Sequence, residues 1–486
     1  MVQGFSREPG THGPLIEVPP AGLRKIRMWA GAIAMGGFLF GFDTGVVSGA
    51  LLYIRKDFDL NSFEQGSVVS VLLIGAVIGA MTSGKLAERI GRRPSLGLIG
   101  AVFIVGTIIV TAANGYPMLL AGRIVLGLAV GAASALVPVY LSEISPTSIR
   151  GRLLTLNQLL ITTGILVAYL VNLVFASSGS WRSMFAVGAI PAALLVIASA
   201  WLLPESPQWL ITHGRKQRAH EGIASVTDDA TADRLVQRAE QRIADERAKQ
   251  QRTAADQGNA RKRLTAPDVR PALIVGLTLA AVQQFGGINT IIYYAPTIIQ
   301  QTGLSASNSI FYSVAIGVIN LVMTLVAIRL VDRVGRRPMV LVSLGLMAVS
   351  VFMLGLAFVT GMNSVLTLLF MVVYIAAFAG GLGPVFWTLI GEIFPPSVRA
   401  EGSSASTAVN WISNFVVSLA FLPLASLLGQ GETFWVFAAI CVVAFFFVGR
   451  YVPETRGRDA EQIQEALQSR FGNPPETTHS EHARTR

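Results

Sequence analysis

Twelve long apolar segments dominate this sequence and restrict its fold more than any other feature. Each holds roughly twenty consecutive apolar residues, the length a helix needs to cross a bilayer, and short charged or Gly/Pro-rich stretches separate them. Backbone polar groups in lipid need partners within their own segment, so these runs predict transmembrane helices. They are too long and continuous for barrel strands. The predicted spans, numbered 1 to 12, cover residues 29–53, 66–86, 95–114, 117–141, 153–175, 182–203, 271–300, 308–330, 339–360, 364–391, 402–428 and 433–452.

The remaining composition excludes several classes of protein. Only 14% of the residues are charged, whereas a soluble domain carries about a quarter. The single cysteine, Cys441, lies in an apolar segment and allows neither an internal disulfide nor a cysteine-based metal site. All five histidines lie in polar stretches outside the spans. We therefore expect no metal, no cofactor and no enzymatic activity. Residues 1–28 have no apolar core, so we expect no cleavable signal and assign insertion to span 1.

The distribution of basic residues predicts the topology. They cluster before span 1 and between spans 2 and 3, 4 and 5, and 8 and 9, while the opposite loops hold only Arg55, Lys56 and Arg182. The positive-inside rule then places both termini in the cytoplasm. The net charge of +10 is thus a signal of topology, and it favours contact with anionic lipids. The scattered pattern argues against nucleic-acid binding.

The polar stretches divide the chain into five parts. Residues 214–252 favour short surface helices, and "QQRTAADQGNARKR" (250–263) is typical of a flexible loop. The tail begins with a helical pattern and is expected to be disordered beyond Pro474. The predicted parts are a cytoplasmic tail (1–28), a six-helix bundle (29–203), a cytoplasmic linker (204–270), a second six-helix bundle (271–452) and a cytoplasmic tail (453–486).

Three motifs recur in order in the two bundles. "GKLAERIGRRP" (84–94) returns as "IRLVDRVGRRP" (328–338), "EISPTSIR" (143–150) as "EIFPPSVR" (392–399), and "PES" (204–206) as "PET" (453–455). Each follows the second, fourth or sixth span of its half. Parallel six-helix repeats indicate a pseudo-two-fold axis along the membrane normal, with a site between the halves. A duplicated scaffold without a transport role is the alternative.

Further motifs resemble those of the sugar porter family of the major facilitator superfamily, from about Arg27 to Ile463. They are "GFDTGVVSGAL", the two "GRR" loops, "RIVLGLAVG", "PESPQWL", "QQFGGINTIIYYAP", "GPVFWTLIGEIFP" and "VPETRGR". The resemblance is strongest to bacterial proton-linked sugar or polyol symporters, including those for myo-inositol. It implies alternating access in the cell membrane by a monomer that binds a hexose, a pentose or myo-inositol together with protons.

Asp43 and Arg123 are the ionisable residues well inside spans 1 and 4. A charge at this depth is costly unless it pairs or lines a water-filled cavity. One interpretation is an ion pair that only joins helices. The other is a proton switch, because burial raises a carboxyl pKa and a nearby arginine lowers it. The resemblance favours the switch, since proton-linked members have an acid at this position and passive members lack it.

A sugar site requires groups that both donate and accept hydrogen bonds, as amides do, and an aromatic face for the ring. The alternative is that such amides only join neighbouring helices. The family resemblance supports sugar binding for most of the set and is weaker for Asn410. The candidate substrate residues are Gln158, Gln283, Gln284, Asn289, Asn320, Trp387, Asn410, Trp411 and Asn414. A Gly-rich run at 380–384 predicts a bend beside Trp387.

The repeated charged motifs predict a gate at the cytoplasmic ends of the spans, as the resemblance implies. Ordinary interfacial charge, which contributes little per exposed pair, is the alternative. The candidate gate residues are Glu88, Arg92, Arg93, Glu143, Arg150 and Glu205 in the first half and Asp332, Arg336, Arg337, Glu392, Arg399 and Glu454 in the second. A passive facilitator and, less favoured, a non-transporting sugar sensor remain as alternative functions; the chain has no P-loop for ATP coupling.

Overall fold

The computed structural model describes residues 18–146, 148–254, 264–395 and 398–472. Within these ranges the regular secondary structure is helical, and twelve helical spans are long and apolar enough to cross a membrane. The expected all-helical architecture of twelve spans is confirmed. The spans are Pro20–Asp57, Ser62–Ile90, Arg92–Thr111, Tyr116–Ile144, Arg150–Val174, Trp181–Leu202, Arg270–Gln300, Ala306–Val334, Arg336–Val359, Ser364–Glu392, Arg399–Leu428 and Gln430–Tyr451.

Spans 6, 7 and 10 are interrupted rather than continuous. Span 6 consists of Trp181–Ala186, Ala189–Ile197 and a π-helical turn, Ala198–Leu202. Span 7 consists of Arg270–Phe285 and Ile288–Gln300, and span 10 of Ser364–Gly380 and Leu382–Glu392. The bend predicted within 380–384 is therefore present at the join of the two span-10 segments, whereas the break in span 7 was not predicted.

Glycine shapes the break in span 7. Gly287 has a φ of 96°, a left-handed conformation that side chains with a Cβ rarely adopt. The carbonyl of Gly286, displaced from the regular helix, accepts a hydrogen bond from the Tyr374 hydroxyl at 2.6 Å. A neighbouring span thus satisfies a backbone group that lipid could not, which is the condition for irregular backbone at membrane depth.

Small residues allow spans 1 and 5, and spans 2 and 4, to pack closely. A Cβ on Gly41 would lie 1.9 Å from the carbonyl oxygen of Ile161, and one on Gly131 would lie 1.9 Å from that of Ala76. Glycines spaced four apart in span 1, from Gly37 to Gly49, face span 5 in the same way. This is how membrane helices gain close van der Waals contact without a hydrophobic drive between them.

The outer surface of the bundle is apolar. Trp201, Leu427 and Met81 are 82%, 81% and 75% exposed, which in water would form an unfavourable surface. Lipid is the medium that such a surface matches. The chain is a multi-pass membrane protein.

The two ends of the bundle differ in charge. We call the end that carries the "GRR" loops the basic end, and the other the opposite end. Two side-chain hydrogen bonds between the halves lie toward the opposite end: Arg55 Nη2 donates to Gln300 Oε1 at 2.5 Å, and Tyr169 Oη donates to the carbonyl of Ile292 at 2.8 Å. The halves are thus fastened together at the opposite end.

The linker contains three helices, Pro207–Thr212, Lys216–Ala224 and Asp229–Ala254. The third is longer than the short helices predicted, and it includes the first residues of the expected loop at 250–263. Alanine and alternating charges favour helix there. The remainder of that loop, 255–263, lies outside the described residues. Trp209 Nε1 donates to the carbonyl of Glu88 at 2.8 Å and fixes the linker to the end of span 2.

A final helix, Ala460–Arg470, follows span 12. The side chain of Asp459 accepts from the backbone N–H of Gln462, and Gln462 Oε1 accepts from the backbone N–H of Asp459, which completes a capping box. Ile463 and Leu467 are buried, and Gln464 Nε2 donates to the carbonyl of Ile393 at 2.7 Å. The segment predicted to be disordered beyond Pro474 lies outside the described residues.

Candidate functional site

The break in span 7 gathers three of the predicted amides. Gln283 and Gln284 end the first segment, and Asn289 begins the second. Because the chain turns at Gly286 and Gly287, side chains on the two segments meet, although a straight helix would separate them. Asn289 Nδ2 donates to Gln284 Oε1 at 2.7 Å across the break.

Span 11 completes this amide cluster, defined as Gln283, Gln284, Asn289 and Asn410. Asn410 Nδ2 donates to Gln283 Oε1 at 2.6 Å and to the carbonyl of Ala280 at 3.1 Å. Gln284 Nε2 donates to Asn410 Oδ1 at 3.1 Å. Span 10 also participates, since Gln283 Nε2 donates to the carbonyl of Gly383 at 3.2 Å. The cluster thus joins three spans of the second half around two helix breaks.

The amides therefore bond to one another and to backbone, as the helix-joining alternative predicts. That arrangement is compatible with ligand binding, because a ring hydroxyl both donates and accepts and can replace any of these partners. Gln283, Gln284 and Asn410 are buried, whereas Asn289 is half-buried. Asn289 is the cluster member most accessible to a ligand.

Trp411 and Asn414 place the cluster beside the seam between the halves. The Trp411 ring lies 6.0 Å from that of Phe40 in span 1. Asn414 accepts a hydrogen bond from Ser418 Oγ at 3.1 Å. Tyr293, in the second segment of span 7, interacts with the side chains of Asn414 and of Thr44. Tyr293 was missed by the sequence reasoning, although it lies within the quoted "YY" of the span-7 motif.

Besides Trp411 and Asn414, three more predicted substrate residues lie outside the amide cluster. Gln158 is half-buried in span 5, and Asn320 is buried in span 8. Trp387 is half-buried in the second segment of span 10, and its ring meets that of Phe386 edge to face at 4.9 Å. Their roles stay predictions.

Asp43 and Arg123 form an ion pair in the first half. Arg123 Nη1 lies 2.9 Å from both carboxylate oxygens of Asp43, and both residues are 1% exposed. Arg123 Nε donates to the carbonyl of Val68 in span 2 at 3.0 Å, and its guanidinium lies 5.7 Å from the Phe185 ring. The pair thus connects spans 1, 2, 4 and 6, and removal of either charge would leave the other uncompensated in a buried site.

The predicted gate residues of the first half assemble around two carboxylates. Arg92 makes a two-point contact with Glu143, with Nε and Nη2 each 2.9 Å from one oxygen. Glu205 accepts from the backbone N–H groups of Arg92 and Ser206 at 2.8 Å and of Arg93 at 3.3 Å. Burial raises the pKa of Glu205, and these N–H groups and the Arg92 charge oppose that shift.

The second half repeats this arrangement. Arg336 Nη2 lies 3.2 Å from Glu392 Oε1. Glu454 accepts from the backbone N–H of Arg336 at 3.0 Å and of Arg337 at 3.1 Å. Each acid thus caps the start of the third span of its half, where unpaired N–H groups and the helix dipole attract negative charge.

The other predicted gate residues differ in their placement. Arg150 Nη2 donates to the carbonyl of Ser145 at 3.1 Å, and Arg399 Nε to that of Phe394 at 3.2 Å. Glu88 is exposed, and its backbone carbonyl is the group that Trp209 contacts. The side chain of Asp332 lies outside the described residues.

Comparisons with known proteins agree with this architecture. Residues 29–467 match the family described as "Sugar (and other) transporter". The chain is similar to the probable metabolite transport protein CsbC of Bacillus subtilis, with 41% identity over 90% of this chain and 94% of that protein. It is also similar to the galactose-proton symporter of Escherichia coli K12, with 38% identity over 89% of this chain and 92% of that protein.

A solved structure shares the fold. The inward-open conformation of the xylose transporter XylE from E. coli superposes with a TM-score of 0.77 and 30% identity. The match covers 90% of this chain and 99% of that one. Both six-helix halves are therefore included in the likeness.

Proposed function

The chain belongs to the sugar porter family of the major facilitator superfamily, a family of transporters and not of enzymes, and we propose that it couples uptake of a monosaccharide or polyol to protons. The single observation that carries the coupling is the buried Asp43–Arg123 pair. Among the described ion pairs it is the one that lies away from the ends of the spans, and a carboxylate at that depth is a functional-site candidate by default.

The substrate class follows from the amide cluster. Four amides on spans 7 and 11 offer donors and acceptors to a ring of hydroxyls, and Trp411 and Trp387 provide flat apolar faces nearby. Gln158, Asn320 and Asn414 complete the proposed binding set. Hexoses, pentoses and myo-inositol all fit this chemistry, so we keep all three as substrates to test.

Alternating access is the proposed mechanism. The halves are fastened at the opposite end by the bonds of Arg55 and Tyr169, and the superposed XylE structure is inward-open. We assign the basic end to the cytoplasm of the cell membrane, with both termini there, from the positive-inside rule. The Arg92–Glu143 and Arg336–Glu392 pairs, with Glu205 and Glu454, then form the cytoplasmic gate of a transporter that works as a monomer.

The test is uptake by the purified protein in proteoliposomes. Labelled glucose, galactose, xylose and myo-inositol are offered singly, with an imposed inward proton gradient and with or without a protonophore. The proposal expects accumulation of at least one of these substrates above the external concentration, and loss of that accumulation with the protonophore.

A passive facilitator gives a different result in the same assay. Sugar would equilibrate without accumulating, and the protonophore would have no effect. Absence of uptake of every substrate, in protein that still binds one of them, would instead favour the non-transporting sensor.

A further inference from the structure

Four arginines gather at the basic end of the second half, where span 12 meets the final helix. This arginine cluster consists of Arg337, Arg450, Arg458 and Arg470. Arg337 Nη2 and Arg470 Nη1 both donate to the carbonyl of Gly449, at 2.5 and 3.4 Å, and Arg470 Nη1 also donates to the carbonyl of Arg450 at 3.0 Å. Two guanidinium groups therefore converge on one carbonyl oxygen.

The cluster concentrates positive charge. Burial and then the charges of Arg337, Arg458 and Arg450 lower the pKa of Arg470. Among the described residues, no ion pair joins any of the four to a carboxylate. Glu465 lines the same surface hollow as Arg458 and makes no ion pair with it, and Glu454 accepts from the backbone N–H of Arg337 and not from its guanidinium. The four guanidinium groups are thus open to an external anion.

Aromatic residues place the cluster at headgroup depth. The Tyr451 ring packs between those of Phe447 and Phe471, at 5.2 and 4.7 Å. The guanidinium of Arg450 lies 5.3 Å from the Tyr451 ring. Tyrosine is enriched at the boundary between hydrocarbon and headgroups, so we expect headgroup phosphates at the level of these arginines.

The internal repeat shows that the fold does not require an arginine at the position of Arg450. Arg93 in the first half donates to the carbonyl of Ser199, as Arg337 donates to that of Gly449. The position that corresponds to Arg450, by the offset of the "PES" and "PET" motifs, is Trp201, which is 82% exposed. One half therefore presents tryptophan to the interface and the other presents arginines.

We infer that the arginine cluster binds the phosphate of an anionic phospholipid headgroup. A guanidinium offers two parallel N–H donors that match phosphate oxygens, and it is more weakly hydrated than ammonium. Lipid is the favoured source over free phosphate, because the cluster faces the headgroup layer, where phosphates are held at high local density.

The test compares the full-length protein with Arg450→Gln/Arg458→Gln. Both side chains are exposed, and the change leaves the hydrogen bonds of Arg337 and Arg470 in place. The control is Lys85→Gln/Arg89→Gln, which removes two exposed charges from the same end of span 2. Purified protein is titrated with micelles containing phosphatidylglycerol or phosphatidylcholine, or with sodium phosphate, and binding is followed by native mass spectrometry and by the melting temperature.

Each basic residue near an anionic surface contributes about a fivefold gain in affinity, so both double variants lose roughly 25-fold through bulk charge alone. A phosphate held by the arginine cluster predicts a loss of phosphatidylglycerol binding in Arg450→Gln/Arg458→Gln well beyond that of the control, and phosphatidylcholine should bind neither variant nor the parent. Equal loss in the control variant would overturn the site, since only bulk charge would then matter. Unchanged binding by Arg450→Gln/Arg458→Gln would also overturn it. A melting shift with sodium phosphate equal to that with lipid would contradict the lipid source.

Discussion

Asp43→Asn tests the proton coupling most directly. The change preserves the size of the side chain, and the amide oxygen can still accept from Arg123 Nη1, which lies 2.9 Å from both carboxylate oxygens. An amide cannot take up and release a proton in the relevant range. We therefore expect the variant to bind and exchange sugar but not to accumulate it.

The structure sets the expected magnitude. Asp43 is the one carboxylate away from the ends of the spans among the described residues, so one proton is expected to accompany each sugar. A proton moving down one pH unit contributes about 1.4 kcal/mol, which corresponds to about a tenfold accumulation. An imposed gradient of about 1.5 units should therefore give the parent protein roughly 30-fold accumulation, and Asp43→Asn a ratio of about one.

The assay uses proteoliposomes with an acidic exterior and measures labelled sugar inside at steady state. Counterflow exchange in the same vesicles shows that the variant is folded and active, which matters because Arg123 loses its counter-charge. Asp57→Asn is the matched control, since Asp57 is on the same helix but outside the membrane core, paired with Arg182 at 3.5 Å. Uphill accumulation by Asp43→Asn at the parent level would refute the coupling role.

Three further predictions concern packing, the basic end and the substrate site. Gly41→Ala should destabilise the protein by about 1–3 kcal/mol, because its Cβ would lie 1.9 Å from the Ile161 carbonyl oxygen; Gly31→Ala, with open space around it, should not lower the melting temperature. Burial raises the pKa of Glu205 above its ordinary 4.5. Between these two pKa values the folded chain holds a proton that the unfolded chain releases, so stability falls as the pH rises through that interval. Glu205→Gln should remove that part of the fall in a melting series taken upward from pH 4.5. Gln283→Ala should raise the half-saturation concentration for sugar about tenfold, equivalent to about 1.4 kcal/mol, while the accumulation ratio at saturation stays unchanged.

The sequence was sufficient to predict the twelve spans because burial in lipid imposes a strong and local requirement on each segment. It was also sufficient to indicate Asp43 and Arg123, since charges are conspicuous in apolar segments. Neither argument depends on how the helices pack. The pairing of Arg92 with Glu143 was foreseeable for a similar reason, because the motif repeats in the second half as Arg336 and Glu392.

Features that depend on tertiary packing could not be predicted. The break in span 7 requires the left-handed Gly287 and the hydroxyl of Tyr374 from another span, and two adjacent glycines alone do not indicate it. The partners of Gln283 and Asn410 likewise depend on how spans 7 and 11 are rotated. Glu88 shows the same limit, since the motif predicts a charged contact, whereas the backbone carbonyl makes the contact and the carboxylate stays exposed.

The placement of the two sites constrains how coupling can work. The Asp43–Arg123 pair lies within spans of the first half, and the amide cluster lies within spans of the second. No member of one set bonds to a member of the other among the described side chains, so a change at one site reaches the other only across the seam.

At that seam Tyr293 interacts with Thr44, the neighbour of Asp43, and with Asn414 of the proposed substrate set. A Tyr293→Phe variant therefore isolates the hydroxyl. If coupling uses this contact, sugar exchange should persist while the accumulation ratio falls toward that of Asp43→Asn; an unchanged ratio would require coupling by movement of the whole halves.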